Sequence, residues 1–223
     1  MMNNRAYISM QHLERMFKYN DTDVLKLTIN YPIIRLLNSF AELKINNQIF
    51  CEINSYLRHA DYLYGLAVNS YNQSQENDYP FHMYEAYMEY TITYNDNCFL
   101  STYVDKYEFT GGAHGSTVRS SSTWELNRGT EIPLYAYFKP GTDYRQKLTD
   151  EIIKQANSNL AENPGIYFED YKDLIVSNFD ENSYYLSQDG IVIYYQQYYI
   201  APYSTGIVEF TIPYEFLGWY PHC

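Results

Sequence analysis

Apolar and polar residues alternate along most of the chain, with a period that changes between two and about 3.6 residues. From residue 24 every second position is apolar, which predicts a strand that Pro32 ends. From residue 45 to residue 67 apolar residues recur every three or four positions, which predicts a long amphipathic helix. These positions are Ile45, Ile49, Ile53, Leu57, Ala60, Tyr64 and Ala67. We expect this helix to lie on a sheet.

Three strands follow this helix. Residues 84–94 alternate with period two, and after a turn at residues 95–97 the alternation resumes over residues 99–109. The glycine-rich stretch at residues 110–115 then interrupts the pattern, before a further strand over residues 116–126. We predict three consecutive antiparallel strands.

The second half of the chain also places a helix before its strands. Asp143, with Gln146 three residues later, predicts a helix N-terminus, and residues 163–165 (Asn-Pro-Gly) predict its end. The apolar stripe between them consists of Tyr144, Leu148, Ile152, Ala156 and Leu160. A shorter helix is predicted around residues 169–176. The remaining strands are predicted at residues 183–186, 191–199 and 207–213.

Helices and hairpins in separate stretches predict an α+β fold and not a doubly wound parallel sheet. We expect two lobes, residues 23–118 and residues 119–223, each an antiparallel sheet covered by a helix. Residues 1–22 are expected to form an N-terminal tail, or a short helix around His12 to Phe17.

The net charge and the composition limit the classes of molecule that the protein is expected to bind. The formal net charge of the 223 residues is −12, which repels nucleic-acid phosphates and attracts basic proteins. We therefore expect no nucleic-acid partner. The 28 tyrosines suit strands with one wet face, and tyrosine is also favoured at interfaces.

The sequence contains no run of the roughly 18 apolar residues that a membrane span needs, and its first residues lack the apolar core of an export signal. As written, the chain is expected to be cytoplasmic. Cys51, Cys98 and Cys223 are widely spaced and odd in number, which favours reduced thiols. One pair could still bridge in an oxidising compartment.

Motifs for nucleophilic, metal-dependent or phosphate chemistry are missing, so we expect no catalytic residue, no cofactor and no bound metal. His114 is the one titratable residue singled out, because Gly111, Gly112 and Gly115 allow the backbone around it to approach a ligand. The alternative that we favour is a structural turn in which its imidazole caps backbone groups. An enzyme centred on His114, with acidic groups from elsewhere in the fold, is a third hypothesis.

Two stretches, Tyr107–Gly115 and Tyr198–Tyr214, carry a resemblance to known proteins. They resemble the paired domains of unknown function in the extracytoplasmic part of RsiV-type anti-sigma factors, which also occur beside the catalytic domain of PdaC-type peptidoglycan deacetylases. The similarity spans roughly residues 24 to 215. The sigma-binding segment and the deacetylase domain are not found in this sequence, so neither of those activities is expected here.

The resemblance implies a non-catalytic binding or sensor module, since the RsiV-type region is a receptor for lysozyme. It indicates the loop with Pro202, Tyr203 and Gly206 as the contact segment, although Tyr203 could instead pack inward as a structural corner. Lysozymes are commonly basic, which agrees with an acidic receptor. The alternatives are a module that binds cell-wall glycan (peptidoglycan), and a hydrolase accessory domain.

Overall fold

The computed structural model describes residues 5–223, which form an α+β protein with two sheets. The six-stranded sheet has the order β1-β2-β3-β4-β5-β6, and the three-stranded sheet has the order β7-β8-β9. The strands of the first sheet are β1 (Tyr7–Tyr19), β2 (Thr22–Arg35), β3 (Tyr84–Asp96), β4 (Phe99–Phe109), β5 (Ser116–Glu125) and β6 (Thr130–Glu131). The strands of the second are β7 (Tyr184–Leu186), β8 (Gly190–Tyr195) and β9 (Val208–Pro213). The helices are α1 (Ser39–Glu76), α2 (Tyr144–Glu162), α3 (Tyr171–Ser177) and α4 (Tyr214–Leu217). The predicted α+β class is confirmed.

The described residues fall into two compact units. The first, called the N unit below, comprises residues 7–90 and 104–118; the second, the C unit, comprises residues 5–6, 91–103 and 119–223. Strands β3, β4 and β5 therefore each contribute residues to both units. The predicted division of the chain at residue 118 into two lobes stays a prediction.

An antiparallel hairpin of β1 and β2 begins the N unit, with Tyr19 opposite Thr22. Asn20 and Asp21 form its two-residue turn with positive φ angles of 47° and 61°, a conformation that Asn and Asp tolerate. For residues 7–19 the prediction of a tail or a short helix is wrong, and residues 1–4 of that prediction lie outside the described residues. One face of β1 is mostly exposed and the other is partly buried at Leu13 and Phe17, but the exposed face carries the apolar Met10 and Met16, so the sequence does not alternate clearly between apolar and polar residues.

Strand β2 continues through Pro32, contrary to the prediction that this proline ends it. Strand β3 pairs with β2 only from Leu25 to Asn30, so the missing N–H of Pro32 costs no hydrogen bond on that side. The β2–β3 pair is parallel, which differs from the antiparallel sheet expected. A parallel pair needs a long crossover connection, and α1 provides it.

The long helix α1 confirms the helix predicted from its apolar stripe. It begins after Asn38, whose side chain accepts hydrogen bonds from the backbone N–H groups of Phe40 and Ala41. Its buried residues pack on the sheet and against β2. They are Ala41, Ile45, Ile49, Ile53, Tyr56, Ala60, Leu63, Ala67 and Ser74. Within residues 5–223, no helix is both long and apolar enough to cross a membrane.

The C unit is built on the antiparallel sheet of β7, β8 and β9. The Asp143 carboxylate accepts a hydrogen bond from the Gln146 N–H at 3.1 Å at the start of α2, which confirms the predicted helix N-terminus. The core between the helices and the sheet includes Leu148, Ile152, Ala156, Ile175, Ile191, Ile193, Phe210 and Ile212. A second, smaller cluster of Tyr185, Val192 and Tyr194 covers the other face of the sheet, against Tyr103.

A disulfide joins Cys98, in the turn between β3 and β4, to Cys223 in the C unit. The expectation that all three thiols are reduced is therefore wrong, and Cys51 alone is free and exposed. The segment before Cys223 is packed as well, since the Trp219 ring lies 4.6 Å from that of Tyr137 and 5.6 Å from that of Phe99.

Candidate functional site

The loop between β4 and β5 contains His114 and its neighbouring glycines, in the N unit. Gly111 has a φ of 83°, and a Cβ on the buried Gly115 would lie 2.4 Å from the Tyr107 ring and 2.5 Å from the carbonyl oxygen of Glu108. A Cβ on Gly112 would meet no atom closer than 3.9 Å. Two of the three glycines are thus required by backbone conformation or space.

The His114 side chain is exposed, and its Nδ1 lies 3.0 Å from the carbonyl oxygen of Gly115. Since a carbonyl only accepts, Nδ1 carries the proton and donates. This contact keeps the imidazole close to its own loop. A role for His114 in ligand binding stays a prediction.

The turn predicted from the resemblance lies between β8 and β9, in the C unit. Residues Tyr203–Thr205 form a 3₁₀ turn, in which the N–H of Thr205 donates to the carbonyl oxygen of Pro202 at 3.0 Å. Gly206 has a φ of 77°. The Tyr203 side chain is half-buried, and its ring lies 5.8 Å from that of Tyr198. The structure therefore brings Pro202, Tyr203 and Gly206 together, whereas His114 belongs to the other unit.

A cleft that sequence reasoning missed lies in the C unit, with a volume of about 430 Å³. We call it the acidic cleft, and its polar walls include Ser121, Glu131, Tyr135, Glu181, Asn182 and Tyr184. Both glutamates are exposed, and the Tyr135 side chain is 60% exposed. None of the ten described residues that line the cleft is basic.

Hydrogen bonds fix the walls of the acidic cleft. The Ser121 hydroxyl donates to the carbonyl oxygen of Tyr184 at 2.5 Å, which ties β5 to β7. The Tyr184 hydroxyl donates to the carbonyl oxygen of Ile132. Burial raises the pKa of Tyr184 to about 12, so this donor stays protonated at neutral pH. Glu181 accepts a hydrogen bond from the Tyr144 hydroxyl, which holds its carboxylate in place.

Two carboxylates and an exposed aromatic ring are suited to a cation. An ammonium or guanidinium group interacts favourably with the face of a tyrosine ring, and its N–H groups donate to carboxylates. The lysine and arginine side chains of a basic protein provide such groups. Sequence spacing could not reveal this site, since Glu131 lies in β6 and Glu181 lies 50 positions later, in the turn before β7.

A second cleft lies in the N unit, with a volume of about 320 Å³. We call it the His59 cleft, and its polar lining consists of Ser55, Tyr56, His59, Lys106, Glu108 and Ser116. His59 Nε2 lies 2.9 Å from a carboxylate oxygen of Glu108. Lys106 Nζ lies 2.7 Å from the carboxylate of Glu52, which also accepts a hydrogen bond from Tyr90 at 2.7 Å.

The charges of the His59 cleft already have partners inside the protein, which favours a neutral ligand rich in hydroxyl groups. An exposed ring stands beside the cleft, because Tyr62 is 62% exposed and lies 5.9 Å from the His59 imidazole. Burial raises the pKa of Tyr56, whose hydroxyl lies 3.3 Å from the carbonyl oxygens of both Tyr87 and Tyr107. Among residues 5–223, no group of three or more His, Cys, Asp or Glu side chains is placed to hold a metal ion.

The two sheets, their covering helices and these polar clefts define a two-unit α+β protein. Residues 19–117 match the family model described as deacetylase PdaC, and residues 137–215 match that of a protein family of unknown function, DUF3298. The two family models thus match consecutive parts of the chain, PdaC first and DUF3298 second. The paired domains expected from the sequence resemblance are thereby confirmed.

Solved structures share this fold. A member of the DUF3298 family from Bacteroides fragilis NCTC 9343 is 21% identical with a TM-score of 0.70, and the match covers 96% of this chain and 94% of that chain. A DUF3298 family protein from Pseudomonas aeruginosa PAO1 is 16% identical with a TM-score of 0.61, covering 96% and 93%. No curated protein matches the chain. At these identities the likeness shows the fold alone.

Proposed function

We propose that this protein is a non-catalytic binding module that recognises a basic protein, lysozyme being the first candidate, through the acidic cleft of the C unit. The observation that carries the proposal is that Glu131, Glu181 and the exposed Tyr135 line one cleft, in which no described lining residue is basic. The net charge of −12 adds long-range attraction that speeds the encounter. The resemblance to the lysozyme-binding region of RsiV-type proteins supports the choice of partner.

The turn with Pro202, Tyr203 and Gly206 is proposed as a second contact. It presents a rigid proline and a half-buried tyrosine next to the exposed Tyr198, and aromatic residues contribute strongly to protein interfaces. His114 belongs to the N unit, so it is proposed as a contact only for a partner that also binds the N unit. Separate Tyr203→Ala and His114→Ala variants measure each contribution.

The experiment is a titration of lysozyme by calorimetry at low and at high salt. We expect micromolar or tighter binding that weakens with salt. Glu131→Gln/Glu181→Gln should weaken it at least about tenfold, since truncating charged partners costs about 2 kcal/mol or more. Glu162→Gln/Glu169→Gln is the matched control, because it removes two exposed charges outside the cleft.

Three results would count against the proposal. The first is no binding at micromolar concentration; the second is an equal loss in the cleft variant and in its control, which would leave only a non-specific charge effect. The third is unchanged affinity in the cleft variant. His114→Ala with lost stability and unchanged affinity would remove His114 from the binding surface.

The disulfide supports a second part of the proposal, that the protein works in an oxidising compartment outside the cytoplasm. Disulfides persist in such compartments and are rare in the cytosol, so the bond between Cys98 and Cys223 argues against the cytoplasmic location expected from the sequence. Thiol alkylation of acid-quenched cells tests this. One reactive thiol, Cys51, is expected before reduction and three after it; three before reduction would place the protein in a reducing compartment.

Peptidoglycan fragments are a second candidate ligand, and the His59 cleft favours them. Sugars stack on exposed aromatic rings and bind through many hydroxyl hydrogen bonds, which Tyr62 and the polar lining of the cleft offer. Binding of muropeptides that is lost in Tyr62→Ala and His59→Ala, and kept in Tyr79→Ala, would establish this function. Equal binding by all variants would exclude the cleft as the glycan site.

A further inference from the structure

Strand β1 forms one edge of the six-stranded sheet and pairs only with β2 among the described strands. An edge presents backbone N–H and C=O groups with which another strand can pair. β1 is long for an edge, with 13 residues from Tyr7 to Tyr19, and it contains no proline to block pairing. We propose that β1 is a dimerisation surface, and that its partner is β1 of a second copy of this chain in antiparallel orientation.

The charge of β1 differs from that of the whole chain. The protein has a net charge of −12, yet β1 contains a single carboxylate, Glu14, and two cations, Arg15 and Lys18. A contact between two β1 edges therefore brings together few of the carboxylates that give the protein its negative charge.

Exposed apolar side chains on β1 gain from a partner. Met10 is 48% exposed and Met16 is 40% exposed. Side chains of a strand alternate between its faces, so these two methionines lie on the same face, together with His12 and Glu14. Pairing two copies of β1 would cover this apolar surface, which contributes roughly 25 cal/mol for each Å² removed from water.

Two-fold symmetry selects the register. Around a two-fold axis perpendicular to an antiparallel pair, one residue must lie opposite its own copy. With Leu13 in that position, Met10 lies opposite Met16 of the second copy, and His12 lies opposite Glu14. Centring the pair on Glu14 would set two carboxylates face to face, which is destabilising; centring it on His12 would set Met10 opposite Glu14. We therefore assign Leu13 as the centre.

Sedimentation of charge variants over a concentration series tests this register. The wild-type chain should show a monomer–dimer equilibrium within about 1–100 µM. Met10→Glu/Met16→Glu and Met10→Lys/Met16→Lys both set like charges opposite each other, and each should raise the dissociation constant at least about tenfold. They change the net charge in opposite directions, so a shared loss reports the register and not overall repulsion. Met10→Lys/Met16→Glu keeps the net charge, pairs opposite charges and should restore the dimer.

A cysteine placed at the centre gives a direct readout. In a Cys51→Ser background, Leu13→Cys should form a disulfide-linked dimer under mild oxidation, because opposite Cα atoms lie about 4.5–5.5 Å apart. Glu14→Cys, which would face His12 of the second copy, should not form this disulfide. Circular dichroism checks that each variant is folded.

Three outcomes would overturn the proposal. They are a wild-type chain that stays monomeric at about 100 µM, both like-charge variants dimerising as the wild type does, and equal crosslinking of Glu14→Cys and Leu13→Cys. The proposal is independent of the lysozyme and glycan hypotheses, because its readouts need no other ligand.

Discussion

The guanidinium carbon of Arg119 lies 3.6 Å from the centre of the Tyr103 ring. The Arg119 side chain is 8% exposed, forms an ion pair with Glu209 and lies 5.7 Å from the Tyr194 ring. Its backbone N–H donates to the side-chain oxygen of Gln196 at 2.9 Å. One arginine thus joins β4 and β5 residues of the C unit to the sheet of β7, β8 and β9.

Replacing this arginine should destabilise the protein. We expect Arg119→Ala to lower the free energy of unfolding by about 3 kcal/mol, because it removes a buried cation–π contact and an ion pair. Arg119→Lys should lose about 1–2 kcal/mol, since an ammonium keeps the charge but not the planar stacking group. Urea unfolding measures both, with the exposed Arg128→Ala as control. Equal losses at residues 119 and 128 would contradict this account.

Buried tyrosines make the folded state sensitive to alkali. Burial raises the pKa of Tyr184 to about 12 and also raises the pKa of Tyr214. An unfolded tyrosine ionises near pH 10, so between about pH 10 and 12 the unfolded chain releases protons that the folded chain keeps. This stabilisation is fully present below pH 10 and is lost as the pH rises, roughly 3 kcal/mol for Tyr184 alone.

We therefore expect cooperative unfolding above about pH 10. Tyrosinate absorbance should rise in two steps, first from exposed rings and then together with the loss of circular dichroism. A single absorbance step without loss of secondary structure would show that the buried hydroxyls ionise inside the folded protein.

The glycine loop offers a matched pair of substitutions. Gly115→Ala forces a Cβ against the Tyr107 ring and the Glu108 carbonyl group, and we expect it to cost about 3 kcal/mol of stability. Gly112→Ala adds a Cβ in open space without a positive φ, so its effect should stay within about 0.5 kcal/mol. Thermal unfolding measures the loss of stability in both variants. A Gly115→Ala variant as stable as the wild type would mean that this loop rearranges easily.

Loss of the disulfide should also destabilise the protein. The bond closes a segment of 125 residues, and a native disulfide typically contributes about 2–4 kcal/mol, chiefly by restricting the unfolded chain. Cys223→Ser and chemical reduction should have similar effects on unfolding in urea. Cys51→Ser should have none, because Cys51 is exposed and unpaired.

The helices and strands could be predicted where one face is buried, because burial makes apolar residues recur at a regular spacing in the sequence. The apolar stripe of α1 is visible in the sequence because one side of the helix is buried and the other is exposed to solvent. Asp143 marks the start of α2 because its carboxylate accepts a hydrogen bond from the backbone N–H of Gln146. β1 was not predicted because the apolar Met10 and Met16 lie on its exposed face and the polar Gln11 lies on its partly buried face, which obscures the period of two. The passage of β2 through Pro32 depends on where β3 stops pairing, which local sequence does not encode.

The clefts could not be predicted, for a related reason. Glu131 and Glu181 line one cleft, and His59 contacts Glu108, because separate parts of the chain pack together. The spacing of these residues along the sequence therefore does not reveal either pair. The disulfide is similar, since three thiols allow several pairings and only the fold selects Cys98 and Cys223. The resemblance of two loops to a known family did identify the domains, because those loops are long and specific in sequence.

The parallel pairing of β2 with β3 also restricts how the chain reaches its native state. Leu25 and Tyr84 lie opposite each other, although residue numbers 84 and 25 differ by 59. The hairpin of β1 and β2 can form early, because its residues are close in sequence. The pairing of β2 with β3 is slower, because it must close a segment that contains the whole of α1. Such a non-local closure is entropically costly and slow, so assembly of this sheet at β2 and β3 is expected to set the pace of refolding.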